Sequence, residues 1–268
     1  KFHKMENILK KIINNKKKNI ENYKKKLTEN YILNNIDKAI DFIDFKSKLQ
    51  KRSTDKKTSI IAEIKKASPS AGLLVKNFNH LEIAKLYSEN GASFLSVLTE
   101  EDFFLGKLDF IKDIKKNIKI PILCKDFFID TYQISLAKSF GADCILIILS
   151  AVDKELAKDL YQAALDLKMS ILVEVHTEKE SEFALSFENS IIGINNRNLK
   201  TLEISLDTTV NLFKILKDHK NPLVCESGIH TSDEIKFITE NTNIKNFLIG
   251  ESLLTSEDIP SKLSKLLK

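Results

Sequence analysis

Seven polar or ionisable residues stand late in short apolar runs: Glu63 and Lys65 in SIIAEIK, Lys125 in IPILCKDF, Glu174 in SILVEVH, Asn195 and Arg197 in IIGINNR, and Glu226 in PLVCESG. A charge inside an apolar run is costly unless it is paired or stands at an opening. Packing explains poorly why Glu63, Lys65, Lys125, Glu174 and Glu226 all recur at the same relative position; structural ion pairs along a rim are the plainer alternative. Lysines among carboxylates in a partly dry mouth suit general acid and base work. Burial lowers a lysine pKa and raises a glutamate pKa, while opposite neighbours pull each back. Which effect wins is not legible from residue types. Arginine usage adds a hint, because Arg52 and Arg197 are the only arginines among 42 basic residues. Where lysine serves for plain positive charge, an arginine at the end of an apolar run points to a need for its planar fork.

These residues need elements to position them. Eight short runs rich in Ile, Leu and Val recur at residues 59–65, 94–100, 120–127, 144–149, 170–176, 191–197, 222–228 and 246–250. Between them lie helix-like stretches such as HLEIAKLYSENG, LDFIKDIKKN, KELAKDLYQAALDL and SDEIKFITEN, several closed by Gly or Asn where a C-cap would sit. Apolar strands alternating with helices imply a parallel sheet covered on its outer face. Eight such units predict an α/β fold of the (β/α)8 TIM-barrel type. A doubly wound open sheet is the competing architecture, but no G-x-G-x-x-G follows the first run. Residues 1–50 stand outside the repeat. ILKKII and IDKAIDFIDFKSKLQ have helical apolar spacing, and KRSTDKKTS leads into the first strand. The expected organisation is an N-terminal helical extension (1–50) packed on a catalytic barrel (51–268).

In such a barrel the C-terminal strand ends carry the site, and side chains alternate between the interior and the helix layer. Glu63 and Lys65 then share a face with Ile61, and Lys125 and Phe127 with Leu123, whereas Cys124 and Cys225 face the helices. Glu226-Ser227-Gly228 and Ile249-Gly250-Glu251-Ser252 place small residues after the last two strands. Barrels often bind phosphate there, through backbone N–H groups and a short helix N-terminus. The first loop, Ser68-Pro69-Ser70-Ala71-Gly72, is placed to close over the same group.

Composition narrows the classes of function. A chain of 268 residues with 43% hydrophobic and 29% charged residues is too apolar for intrinsic disorder and long enough for one large core. The net charge of +5 comes from interleaved lysines and acids, with only the first 26 residues strongly basic. That pattern argues against a nucleic-acid partner and fits a phosphorylated or carboxylated small substrate. No apolar run approaches the roughly 18 residues of a membrane span, and the basic N-terminus has no apolar leader core. A cytoplasmic protein without a membrane partner is expected. Cys124, Cys144 and Cys225 show no C-x-x-C spacing and read as buried free thiols; the five histidines form no H-x-H or H-E-x-x-H pattern, so no metal site is indicated.

Taken together and in order, IAEIKKASPS, LSVLTEEDFFLG, PILCKDF, GADCILII, LVEVH, IGINNRNL, ESGI and LIGESLL resemble the indole-3-glycerol phosphate synthase family. The resemblance covers the chain from about residue 30. It implies a barrel whose mouth is covered by an N-terminal helical extension and a reaction without metal or organic cofactor. That reaction converts 1-(2-carboxyphenylamino)-1-deoxyribulose 5-phosphate into indole-3-glycerol phosphate, carbon dioxide and water. Carried onto matching positions, it implies Lys125 as the general acid at the substrate carbonyl and Glu174 as its carboxylate partner and base. Glu63 and Lys65 would place substrate and serve the dehydration, with Asn195, Arg197 and Glu226 lining the same cavity. Ser68, Ser227, Gly228, Gly250 and Glu251 would hold the phosphate; Phe104, Phe127, Leu146 and Ile147 would form the apolar wall for the aromatic ring. Ala71 stands where the family usually has a basic residue, and Asn196 stands at a variable position. His176, two residues beyond Glu174, is expected to be a rim residue without a chemical role, and a monomer is the expected state. A related phosphate-binding barrel, such as a phosphoribosylanthranilate isomerase or a sugar-phosphate epimerase, and a barrel that binds a phosphorylated metabolite without turning it over are the alternatives.

Overall fold

A computed structural model describes residues 2–198 and 201–268, with side chains from residue 8 onward. Leu199, which ends the IGINNRNL segment, lies outside the described residues. The strands are β1 (Ser59–Ile64), β2 (Ala67–Ser68), β3 (Gly72–Leu73), β4 (Phe94–Leu98), β5 (Ile122–Lys125), β6 (Cys144–Ile148), β7 (Ser170–Val175), β8 (Ile191–Asn195), β9 (Leu223–Glu226) and β10 (Asn246–Ile249). The helices are α1 (Phe2–Lys26), α2 (Glu29–Asn34), α3 (Phe45–Thr54), α4 (His80–Glu89), α5 (Leu108–Asn117), α6 (Tyr132–Ser139), α7 (Lys154–Asp166), α8 (Glu178–Ala184), α9 (Asp207–Leu216), α10 (Ser232–Thr242), α11 (Glu251–Leu254) and α12 (Ile259–Leu266).

Strand β1 and β4 to β10 pair in parallel, each with the next, and β10 returns to β1, which closes the sheet into a barrel. All eight expected runs are therefore barrel strands, and the protein is a TIM barrel. Closure satisfies every strand edge. It also explains the near-continuous apolar character of the runs, since the interior and the helix layer both bury them: β4 and β6 are buried along their whole length. Strands β2 and β3 form a small antiparallel hairpin within the first loop, a segment too short to show a strand period in the sequence.

Several helix starts on the strand-end face carry side-chain caps. Asp153, Thr177 and Thr231 accept from the first-turn amides of α7, α8 and α10, the last as a reciprocal capping box with Glu234. The core runs through the barrel and its helix layer, with Phe45, Phe94, Tyr87, Phe187 and Phe247 among its largest fully buried side chains.

The N-terminal segment differs in part from its expected form. Helical spacing over 36–50 predicts one helix, yet residues 36–44 are irregular and α3 begins at Phe45. The backbone there is claimed by groups of the barrel: Ile43 N–H donates to Asp143 Oδ1 and Lys115 Nζ donates to the Asp41 carbonyl. Asp44 caps α3 through the Ser47 amide. Residue 50 falls inside α3, whose Phe45 and Leu49 are fully buried in the barrel core. Helix α1 lies against the strand-end face, held by a Lys16–Asp126 ion pair (2.8 Å), by Tyr23 Oη donating to Glu101 (3.0 Å) and by Lys24–Asp130 (2.7 Å). None of the described helices is long and apolar enough to cross a membrane.

Candidate active site

A cavity of about 490 Å³ opens at the C-terminal ends of the strands. Glu63, Lys65, Lys125, Glu174, Asn195, Arg197 and Glu226 all line it, together with Ser68, Phe104, Phe127, Leu146, Ser227, Gly228, Gly250 and Glu251. Their convergence follows from register. Glu174 lies opposite Gly193, Asn195 opposite Glu226, and Leu98 opposite Lys125, so the strand ends present one ring of polar side chains.

Lys125 is the hub. Its Nζ stands 3.4 Å from Glu174 Oε2 and 3.2 Å from Glu226 Oε2. Burial alone would pull this ammonium down, but Glu226, Glu174 and Glu63 outweigh burial and hold its pKa above the ordinary lysine value. Lys125 is a charged proton donor at neutral pH. The same burial acts differently on its two partners. Burial raises a carboxyl pKa, yet Lys125, His176 and Asn195 overcome it at Glu174 and keep that group ionised, well below the usual carboxylate range. At Glu226 burial prevails, helped by the Glu174 charge beside it, and the carboxyl is pushed up. Two carboxyls with opposite tendencies offer one group able to accept a proton and one able to hold it.

A second pair stands across the mouth. Lys65 Nζ donates to Glu63 Oε1 at 2.6 Å, and both side chains are nearly buried. Burial works to raise the Glu63 pKa, but Lys65 and Lys125 prevail and lower it. Asn195 Oδ1 accepts from the Arg197 amide (3.0 Å) and from Ser227 Oγ (2.9 Å), so one side chain ties the end of β8 to the turn after β9. The Arg197 guanidinium comes within 3.7 Å of Glu251 Oε2.

The apolar side of the cavity is built by Phe104 and Phe127, with ring centroids 6.2 Å apart, and by Leu98, Leu146 and Ile148. Ile147 does not belong to this wall. It is fully buried in the core and outside the cavity lining, because the period of two along β6 turns Leu146 and Ile148 inward and Ile147 toward the helices. Ile8, Leu9 and Ile12 of α1 complete the apolar lining. Amphipathic spacing in ILKKII marked their helix but could not say which surface it would cover.

Several contributors went unread. Gly193 has no side chain because there is no room for one: an added Cβ would lie 2.0 Å from Glu226 Oε1 and 2.7 Å from Leu172 Cδ2. Gly250 likewise clears the Glu63 carboxylate, which a Cβ would meet at 2.4 Å. Asn196, at a position read as variable, is buried and fully used. Its amide donates to Cys225 Sγ and the Ser227 carbonyl, and its Oδ1 accepts from the Thr209 amide and hydroxyl, which fixes the Ser227 turn. Glu100 accepts from the amides of Asp102, Phe103 and Phe104 and so sets the Phe104 loop. Period-two alternation was the available signal for Gly193 and Asn196; nothing in the sequence marked Glu100 as a loop cap. Cys124, Cys144 and Cys225 are free and buried, and burial raises all three thiol pKa values.

Fold and site together define a (β/α)8-barrel enzyme that works on a small anionic molecule by acid–base chemistry. The family model for indole-3-glycerol phosphate synthase matches residues 9–266. An indole-3-glycerol phosphate synthase of Polaromonas sp. (strain JS666) is 44% identical over 224 residues, covering 83% of this chain and 84% of that one. Another, of Legionella pneumophila (strain Lens), is 46% identical over 209 residues, covering 78% of this chain and 80% of its own. A crystal structure of 3-hexulose-6-phosphate synthase superposes with a TM-score of 0.61 at 13% identity over 78% of this chain and 97% of that one, a likeness of fold. The chain belongs to the indole-3-glycerol phosphate synthase family. It is an enzyme of tryptophan biosynthesis in the carboxy-lyase class.

Proposed function

We propose that the ring around Lys125 carries out the closure, decarboxylation and dehydration of 1-(2-carboxyphenylamino)-1-deoxyribulose 5-phosphate to indole-3-glycerol phosphate. The observation that carries this assignment is the Lys125 ammonium held between Glu174 and Glu226 at the cavity mouth. In closure, the ring carbon bearing the carboxylate attacks the ketone carbon, and Lys125 donates a proton to the oxygen as it gains charge. A positioned acid of this kind is worth roughly a hundred- to ten-thousand-fold in rate. Carbon dioxide then leaves and the electrons of the broken bond restore the aromatic ring. Finally the new hydroxyl departs as water with one added proton while a base takes a proton from the methylene carbon beside the nitrogen, and the electrons of that C–H bond form the carbon–carbon double bond of the indole. Glu174 acts as that base, and the Glu63–Lys65 pair assists the dehydration from the other side of the cavity.

The substrate phosphate would sit among Ser68, Ser227 and Gly228 and the backbone amides at Gly250 and Glu251, where α11 begins. First-turn amides of a helix have no partner within it and are free to meet an anion. Arg197 and Asn195 would orient the polyol chain and the carboxylate. Phe104, Phe127 and Leu146, joined by Ile8, Leu9 and Ile12, would hold the aromatic ring. Phosphate binding far from the reacting carbons then holds a flexible chain in a near-attack geometry. The same proposal includes a monomeric working unit and a cytoplasmic site, the latter in keeping with three free thiols.

The chain contains no Trp, so newly formed indole fluoresces against a tyrosine background when the carboxyphenylamino-deoxyribulose phosphate is added. Lys125→Ala should abolish that signal while inorganic phosphate and a substrate analogue still bind in a titration. Undiminished indole formation by Lys125→Ala would remove Lys125 as the acid. Binding without any indole emission from the unaltered chain would leave only a metabolite-binding barrel.

A further inference from the structure

His176 follows β7 and does not line the cavity, yet its side chain is only 8% exposed. Its Nε2 lies 3.2 Å from Glu174 Oε1, and its Nδ1 lies 3.5 Å from Glu180 Oε2 on α8. Neither ring nitrogen is aligned for a hydrogen bond, so the contact is charge against charge in a dry place. The His176 backbone N–H donates to the same Glu180 oxygen at 2.7 Å, which anchors Glu180 against the start of α8. Glu174 is thereby contacted on both oxygens, Oε1 by His176 and Oε2 by Lys125.

We propose that His176 is a positioning residue for the Glu174 base: wedged between Glu174 and Glu180, its imidazolium holds Oε1 and leaves Oε2 facing Lys125. The proposal rests on the assignment of Glu174 as base. The charged groups facing the imidazole are Glu174 from β7 and Glu180 from α8; behind Glu174 stand Lys125 from β5 and Glu226 from β9. Burial alone would neutralise His176, but the two carboxylates outweigh it and raise its pKa to about 9, so the ring is a cation at neutral pH.

The cation has a specific consequence. Glu174 and Glu226 compete for the same ammonium, and whichever carboxyl is less well compensated takes up a proton first. A positive charge on the far side of Glu174 puts the negative charge there and leaves the proton to Glu226. Without His176 the two carboxyls become more alike, the base is protonated for part of the time, and its free oxygen can turn away from the reacting atoms.

The test uses the full chain in three variants, with kcat and KM followed by indole emission across pH. His176→Gln should lower kcat about ten- to a hundredfold, the scale of a misplaced reacting group, with KM within about twofold. Its acidic limb in the kcat profile should move upward by about one pH unit or more, because Glu174 loses a neighbouring cation. A folded His176→Gln with unaltered kcat and an unaltered acidic limb overturns the proposal. If His176→Gln fails to fold, Glu180→Gln decides. It should retain the normal rate at low pH and lose it as pH rises past the now lowered imidazole pKa, and a profile identical to that of the unaltered chain refutes the idea. Glu174→Gln separates the two levels of inference. Full activity in Glu174→Gln removes the base assignment and this proposal with it; an inactive Glu174→Gln beside an unimpaired His176→Gln removes only the proposal.

Discussion

Glu174 and Glu226 are both buried and both touch the same ammonium, yet one is held ionised and the other pushed toward its protonated form. Residue type and spacing placed them in the site, but their division of labour depends on neighbours that no local pattern reveals. Of the two, only Glu174 has His176 beside it, and Gly193 opens the space that Glu226 Oε1 enters. Gly193→Ala should therefore disturb chemistry before it disturbs the fold. Its Cβ would sit 2.0 Å from Glu226 Oε1, which forces that carboxyl away from Lys125. The expected result is a kcat at least about tenfold lower, as for a group moved off its productive geometry, with an overpacking cost of about 1–3 kcal/mol in urea denaturation. Normal turnover by Gly193→Ala would mean that Glu226 does not need its place. The alternation that misplaced nothing in β5 and β9 also says that Leu146 and Ile148, rather than Ile147, face the cavity. Along β6 an all-apolar run offers no polar marker of phase, so residue type alone does not separate Ile147 from its neighbours.

Among the elements, α1 was legible as an amphipathic helix and illegible as a wall of the cavity. Of the polar contacts that seat it, the Lys16–Asp126 pair is the buried one: Lys16 meets the residue next to Lys125, with side chains 8% exposed on both sides. Asp126 also accepts from Thr99 Oγ1 at 2.6 Å and from the Phe127 amide at 2.8 Å, so the helix is joined to the backbone that carries Lys125 and Phe127. Removing one partner of a buried pair costs about 3–5 kcal/mol because the other charge remains buried. Lys16→Met should free α1, shown by earlier protease cleavage before residue 26 and by a KM raised more than kcat is lowered, since Ile8, Leu9 and Ile12 leave the cavity. Adding Asp126→Asn should return much of the lost stability. A Lys16→Met chain with unaltered KM and cleavage pattern would show that α1 stays seated without the Lys16–Asp126 pair. The irregular stretch at 36–44 teaches the converse lesson. Its apolar spacing suits a helix, but Asp143 and Lys115 supply hydrogen-bond partners that a local helix would have supplied otherwise.

Seen across the whole barrel, buried charge is used differently at its two ends. At the strand starts, Asp143 is fully buried against Lys115 (2.8 Å) and also accepts from the amides of Ile43 and Ile122. Those bonds join α5, β5, β6 and the N-terminal segment, and nothing there faces the cavity. Asp143→Ala should thus cost about 3–5 kcal/mol in urea denaturation by stranding the Lys115 charge. The folded fraction should keep kcat and KM within about twofold. A large loss of kcat in folded Asp143→Ala would mean that the two ends are coupled through the barrel.

The order of the eight barrel strands and the helices between them, the barrel class and the residues at the strand ends were determined by the sequence alone, because hydrophobic period and residue type are local properties that survive in any correct fold. Only the tertiary structure decided which of those residues act on one another. Lys125, Glu174 and Glu226 are separated by 49 and 101 residues in the chain, and their distances depend on the register and closure of eight strands. The same holds for the absent side chain at Gly193, the buried amide of Asn196, the cation beside Glu174 and the surface that α1 covers. Electrostatic interaction follows separation in space, and separation in space between distant segments is set by packing rather than by pattern.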